Sequence, residues 1–88
     1  MDTLLLQFRH KGPAPSVSEV IHLFNLKASE IDRPFGVVAT DPTEGLYTVL
    51  IDARAADRVK AVLATRPPDP AENLFANPKV EPFGPPEK

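Results

Sequence analysis

The chain has 88 residues, of which 42% are hydrophobic and 25% are charged, with a formal net charge of −2 and no cysteine. This composition predicts one small globular domain and excludes disulfides, thiolate metal sites and cysteine catalysis. The near-neutral charge gives no general attraction to phosphate, so we expect no nucleic acid among the partners. No stretch reaches the roughly 20 apolar residues that a membrane-spanning helix needs, and the amino end lacks a basic signal region. We therefore expect a cytoplasmic protein with no membrane partner.

Proline is unusually frequent, and its distribution predicts the domain organisation. Seven of the eleven prolines lie after Thr65. Because proline cannot continue a helix or a central strand, such a segment is stiff and partly extended. The sequence predicts a compact body over residues 1–65 and a proline-rich segment over residues 66–88.

The first part of the chain predicts a strand followed by a helix. Every second residue of Thr3–Arg9 is large and apolar, as in a strand with one buried face. After a loop that contains glycine and proline, Ser16 and Glu19 have the spacing of a capping box. Apolar residues then recur at helical spacing, which predicts a helix from Val17 to about Leu26.

The middle of the chain predicts a β-hairpin. Its strands are Phe35–Thr40 and Leu46–Ile51, with Phe35 expected on the buried face of the first strand. Residues 41–45 have turn chemistry, because aspartate can cap the turn, proline fixes φ and glycine accepts a positive φ.

The last part predicts a helix, a further short helix and a strand. Asp52 can cap a helix whose apolar positions run from Ala55 to Leu63. The Asp-Pro-Ala-Glu sequence at residues 69–72 is typical of a helix start and predicts a short helix over residues 70–76. A last strand is predicted over residues 79–83, where Pro82 restricts it to a sheet edge.

This order of elements predicts an α+β fold of the ferredoxin-like type. Two βαβ crossovers joined by a hairpin give a βαββαβ sandwich, in which a four-stranded antiparallel sheet carries two helices on one face. The proline-rich carboxyl-terminal segment follows this body.

No combination of residues indicates catalysis or a cofactor. We expect His10 in a loop and His22 on the wet side of the first helix, which leaves no metal-ligand spacing. Arg9, Lys11 and Gly12, just before the first helix, are a candidate anion site, with a solvated basic loop as the plainer interpretation. We expect a protein that is not an enzyme and binds no metal.

The open face of the predicted sheet is the best candidate for an interaction site. It lacks the aromatic platform with which RNA-recognition domains of this topology stack bases. It carries four apolar residues instead, Leu5, Val38, Leu46 and Leu50. Such a patch indicates a protein partner, self-association, or a place where the carboxyl-terminal segment folds back.

The second half of the chain resembles subtilisin propeptides and their stand-alone inhibitor relatives. The resemblance is carried by the strand at residues 45–52, the helix at residues 55–64 and the Ala-Asn-Pro-Lys-Val-Glu-Pro sequence at residues 76–82. It implies a ferredoxin-like domain whose sheet packs on a protease while its carboxyl-terminal tail enters the active-site cleft. By this resemblance Val80 and Glu81 belong to the last strand, and Phe83–Lys88 to the tail.

The sequence thus predicts a small non-catalytic protein–protein interaction module that acts through its open sheet face or its edge strands. The partner is another protein chain, either a second copy or a protease. Two alternatives remain open: a propeptide-like inhibitor or chaperone of a subtilisin-type serine protease, and a regulatory domain that binds a small molecule.

Overall fold

The computed structural model describes residues 2–76, which contain six main elements. In chain order they are β1 (Thr3–Arg9), α1 (Val17–Leu23), β2 (Val38–Asp41), β3 (Leu46–Asp52), α2 (Ala56–Ala64) and β4 (Asn73–Ala76). Short 3₁₀ turns occur at Ala28–Glu30, Pro42–Glu44 and Ala53–Ala55. No helix in this part of the chain is long and apolar enough to cross a membrane.

The strands of residues 2–76 form one antiparallel sheet in the order β2-β3-β1-β4. β1 and β3 are the central pair, in register from Thr3 opposite Asp52 to Arg9 opposite Leu46. β2 and β4 are the outer strands. The predicted α+β class, with a four-stranded antiparallel sheet and two helices, is confirmed.

One face of this sheet forms the core together with both helices. The largest fully buried side chains are Leu6, Phe8, Val20, Phe24, Val49, Ile51 and Val59. They come from alternate positions of β1 and β3, from α2, and from α1 and the residue that ends it. The rings of Phe8 and Phe24 meet edge to face with centroids 5.2 Å apart. Both described helices pack on this face, so neither of them covers the opposite face, to which the alternate strand residues point.

Both ends of α1 follow from its sequence. The Glu19 amide donates to the Ser16 hydroxyl (3.1 Å) and the Ser16 amide donates to the Glu19 carboxylate (3.0 Å), which confirms the capping box. At the other end Asn25 has a φ of 55°, and the Leu26 amide donates to the Ile21 carbonyl (2.9 Å). This is the Schellman arrangement that ends many helices. The helix therefore ends earlier than the predicted Leu26.

The first strand of the hairpin is shorter than predicted. Asp32 accepts hydrogen bonds from the Phe35 amide (3.0 Å) through its carboxylate and from the Gly36 amide (3.1 Å) through its carbonyl. These bonds fold residues 33–35 into a turn. β2 consequently begins at Val38, and the prediction that Phe35 belongs to the strand and to its buried face is wrong.

The predicted turn at residues 41–45 is confirmed, and Gly45 is the residue that it requires. Asp41 accepts from the Glu44 amide (3.3 Å), and Gly45 has a φ of 69°. A Cβ at Gly45 would lie 2.8 Å from the carbonyl oxygen of His10, whose amide also donates to the Gly45 carbonyl (2.9 Å). A side chain would thus force apart two backbones that are hydrogen-bonded to each other.

The predicted short helix over residues 70–76 is wrong, because Asn73–Ala76 is a strand paired with β1. The start of the predicted helix exists as a single turn, in which Asp69 accepts from the Ala71 amide (3.0 Å) and the Glu72 amide (2.9 Å). The Glu72 carboxylate then accepts from the Arg9 amide (2.8 Å) instead of capping a helix. The predicted strand over residues 79–83 lies outside the described residues.

An ion pair between the buried Glu30 and the partly exposed Arg58 attaches the segment after α1 to α2. Arg58 donates to both carboxylate oxygens of Glu30 and to the Asn25 carbonyl (2.9 Å). The Lys27 amide donates to the same carboxylate (2.7 Å). These hydrogen bonds, with that of Arg58 as the largest cause, lower the pKa of Glu30 to about 2.

Unfolding free energy should therefore depend on pH through Glu30. Because its pKa is depressed in the folded state, the stabilisation is present above about pH 4.5 and is lost as the pH falls through about 2. Urea denaturation should show that the difference between the wild type and Glu30→Gln shrinks toward low pH. Arg58→Gln should reduce the same pH dependence, and the hydrogen bond from the Lys27 amide should preserve the remainder. A difference that stays constant over this range would contradict the assignment.

Candidate functional site

The face of the sheet opposite the helices carries a group of apolar side chains. Leu5 of β1 lies beside Leu50 of β3 and Phe75 of β4 in the register of the sheet. Val38 of β2 and Phe35 of the preceding turn line the same groove as Leu5 and Phe75. We call Leu5, Phe35, Val38 and Phe75 the open-face patch.

The groove at the open-face patch is uncharged and has a volume of about 430 Å³. Its other lining side chains are Gln7, Thr40 and Thr48. Phe35, Val38 and Phe75 are 38%, 42% and 44% exposed, and they are three of the four exposed large hydrophobic residues of the described chain. Exposed apolar side chains are ordinary when scattered, but a contiguous group rimmed by polar residues marks a contact surface.

The structure brings together only part of the predicted patch. Leu5 and Val38 line the groove, as the prediction requires. Leu50 lies next to Leu5 but is half-buried and lines a separate hollow with residues 28–34. Leu46 lies at the end of β3, opposite Arg9. Val80, Glu81 and Phe83, which the resemblance to subtilisin propeptides assigns to the last strand and the tail as further interaction positions, lie outside the described residues.

Sequence reasoning missed the two aromatic residues of the patch. Phe35 stands between Pro34 and Gly36, a pattern typical of turns that could have removed it from the predicted strand. Phe75 was assigned to a helix, because the turn before it has the local sequence of a helix start. The interaction that overrides this local signal comes from Arg9, which lies more than 60 residues earlier in the chain.

Arg9, the main residue of the candidate anion site, is already paired. Its guanidinium donates to the Asp69 carboxylate (2.6 Å), to the Glu44 carbonyl (2.8 Å) and to the Glu44 carboxylate (3.3 Å). The hydrogen bond that Arg9 donates to Asp69 lowers the pKa of Asp69 and raises the pKa of Arg9. Lys11 and Gly12 lie exposed in the following loop. The two carboxylates therefore neutralise the charge that would attract an anion.

A second arginine completes this polar cluster. Arg66 donates to the Glu72 carboxylate (2.7 Å) and to the Arg9 carbonyl (2.8 Å), and it lies over the Phe24 ring. His10 is half-buried beside Tyr47, and its Nδ1 has no hydrogen-bond partner within residues 2–76. The contacts of the cluster join the loop before β4 to β1, which is a structural role.

The polar residues elsewhere also have structural roles. Asp52 accepts from the Arg54 amide (2.9 Å) and pairs with the Arg54 side chain, whose hydrogen bonds lower the pKa of Asp52. Ser16 caps α1, and His22 is exposed on α1. The part of the chain that the structure describes contains no group of three potential metal ligands. The open-face patch remains as the candidate site.

Comparison with protein-family models, with curated proteins and with solved structures finds no match to this chain. Inferences about function therefore depend on the chemistry of the surface itself.

Residues of a binding surface should be replaceable at little cost in stability. Phe35→Ala should lower the unfolding free energy by about 1 kcal/mol, because a large part of the ring is already in water. Phe24→Ala, in the core, should lower it by about 3–5 kcal/mol. Chemical denaturation of both variants checks this. Equal losses would show that Phe35 is a structural residue.

Proposed function

We propose that this chain is a non-catalytic protein-binding module of the ferredoxin-like type, which receives its partner on the open-face patch. The order of elements supports the fold assignment. Read from β4, the strand order is 4-1-3-2 with every neighbouring pair antiparallel, as the βαββαβ arrangement requires. In this arrangement both helices of residues 2–76 lie on the same face of the sheet.

The observation that carries the proposal is the exposure of Phe35, Val38 and Phe75 around one uncharged groove. Burying such side chains against a partner contributes about 25 cal/mol per Å² of apolar surface removed from water. Aromatic rings also supply large contact area with few rotatable bonds, which is why they are enriched at protein interfaces.

The groove fits a protein surface better than a small molecule. Small-molecule sites are usually enclosed and hold a few polar groups that converge on the ligand. This groove lies on an open sheet, and the Gln7 amide within it donates to the Ala71 carbonyl (2.8 Å). Four arginines lie outside this groove, and each is paired with a carboxylate: Arg9, Arg54, Arg58 and Arg66.

A charge placed in the groove should abolish partner binding. Wild-type protein, Val38→Lys and Ala39→Lys are each immobilised and exposed to a lysate of the source cells. Ala39 is the matched control, because it is the next residue of β2, is also exposed, and points to the other face of the sheet.

Mass spectrometry should identify a protein that the wild type and Ala39→Lys retain and that Val38→Lys retains at least about tenfold less. Circular dichroism checks that both variants are folded. The same retained proteins on all three surfaces would contradict the proposal.

A second candidate is a propeptide-like inhibitor of a subtilisin-type protease. It is favoured by the available sheet face opposite the helices, the face that the resemblance to subtilisin propeptides assigns to protease docking. In this case the partner of the open-face patch is the protease.

Titration of subtilisin with the full chain tests this candidate. Stoichiometric inhibition is expected, with the chain intact or cut only near Phe83–Lys88, and Val38→Lys should weaken it while Ala39→Lys does not. Rapid degradation of the chain without any loss of protease activity would exclude this function.

A further inference from the structure

We infer that the occupant of the open-face patch is a second copy of this chain, packed face to face across a two-fold axis. This inference rests on the proposed function, because it names the partner for the same surface. It is drawn from the charge, the edges and the shape of the sheet.

The groove has the charge pattern that a self-complementary surface needs. In a two-fold symmetric interface each patch meets the same patch of the other copy. A charged side chain near the axis would meet its own sign, which opposes association. The chain has 10 basic and 12 acidic residues, yet every side chain that lines the groove is uncharged. Among the described side chains that line the groove, an acidic or basic partner would find no opposite charge.

The outer strand β2 is poorly suited to the alternative route to a dimer, which is pairing of strand edges. β2 has four residues, and its register with β3 shifts between Ala39 and Asp41. Short edge strands and bulges are the features that prevent edge pairing. At the β2 edge, pairing of strands is therefore disfavoured relative to association through the sheet face.

Aligned packing of two such faces brings complementary groups together. An axis parallel to the strands places β4 of each copy opposite β2 of the other. Phe75 of one copy then lies against Val38 and Phe35 of the second, and symmetry repeats this contact at the other edge. Two such rows of apolar contacts enclose Leu5 of both copies.

The size of the face predicts a weak dimer. Four strands about 4.8 Å apart and up to seven residues long give a face of about 400 Å². Stable interfaces usually bury about 800 Å² on each partner. We therefore expect a dissociation constant in the micromolar range, about 1–100 µM.

Sedimentation equilibrium of the full chain from about 1 to 500 µM tests the inference, since this range spans the expected constant. The wild type and Ala39→Lys should show the same monomer–dimer equilibrium. Val38→Lys, which places a charge against the Phe75 ring of the other copy, should raise the dissociation constant at least about tenfold because that charge loses its hydration. A wild type that is monomeric throughout, or a dimer that Val38→Lys leaves unchanged, would overturn the inference.

The failure of this inference can be separated from failure of the proposed function. If the wild type is monomeric but still captures a partner that Val38→Lys does not, the inferred dimer is wrong and the proposed function stands. If Val38→Lys changes neither self-association nor partner capture, both the inference and the proposed function are wrong.

Because the chain has no cysteine, introduced thiols give a direct test of the packing. Under mild oxidation a mixture of Val38→Cys and Phe75→Cys should form the mixed dimer, whereas a mixture of Ala39→Cys and Phe75→Cys should not. Equal cross-linking of both mixtures would overturn the aligned arrangement. A further outcome is a monomer in which the thiol of Val38→Cys reacts with maleimide much more slowly than that of Ala39→Cys. This result would mean that the chain's own residues 77–88 cover the patch, and it would overturn the inference.

Discussion

The seven-residue ladder between β1 and β3 is the contact on which the rest of the domain depends. Its one face supplies Leu6, Phe8, Val49 and Ile51 to the core, and both helices pack there. Because side chains alternate along each strand, the same ladder places Leu5 on the opposite face. The core and the candidate interaction surface thus lie on opposite faces of the same strand pair. A register shift of one residue would move the side chains of the shifted strand to the other face.

Polar contacts determine where the last described strand lies. Glu72 accepts from the Arg9 amide and from Arg66, while Asp69 pairs with the Arg9 side chain. These bonds join the loop after α2 to the end of β1 and so direct β4 along the free side of β1. This attachment also determines which residues of β4 face each side of the sheet: Leu74 packs against the core, and Phe75 lies on the open face. The candidate anion residue Arg9 therefore contributes indirectly to the open-face patch, by positioning the ring of Phe75.

Local sequence signals predicted much of the fold and only part of the surface. The capping box at Ser16, the turn ending at Gly45 and the alternation of Thr3–Arg9 each depend on residues close in sequence, and the structure contains all three. One error arose where a distant partner decides the conformation, and the other arose at a turn formed between neighbouring residues. Residues 69–72 have the sequence of a helix start, but Arg9 binds the carboxylate that would complete the cap. Phe35 was misplaced because Asp32 converts the expected strand start into a turn.

On the face opposite the helices, β1 is mostly polar, β3 contributes the half-buried Leu46 and Leu50, and the open-face patch contributes the exposed apolar groups. On β1 the outward positions Thr3, Gln7 and Arg9 are polar, as expected for a strand with one solvated side. The apolar exceptions are clustered: Leu5 lies in register with Phe75, and Val38 and Phe35 line the same groove. A general excess of hydrophobic residues would scatter them over the surface instead. Since the core is already closed by seven fully buried large side chains, these exposed groups add little to folding, and contact with another protein surface is the physical role that their arrangement supports.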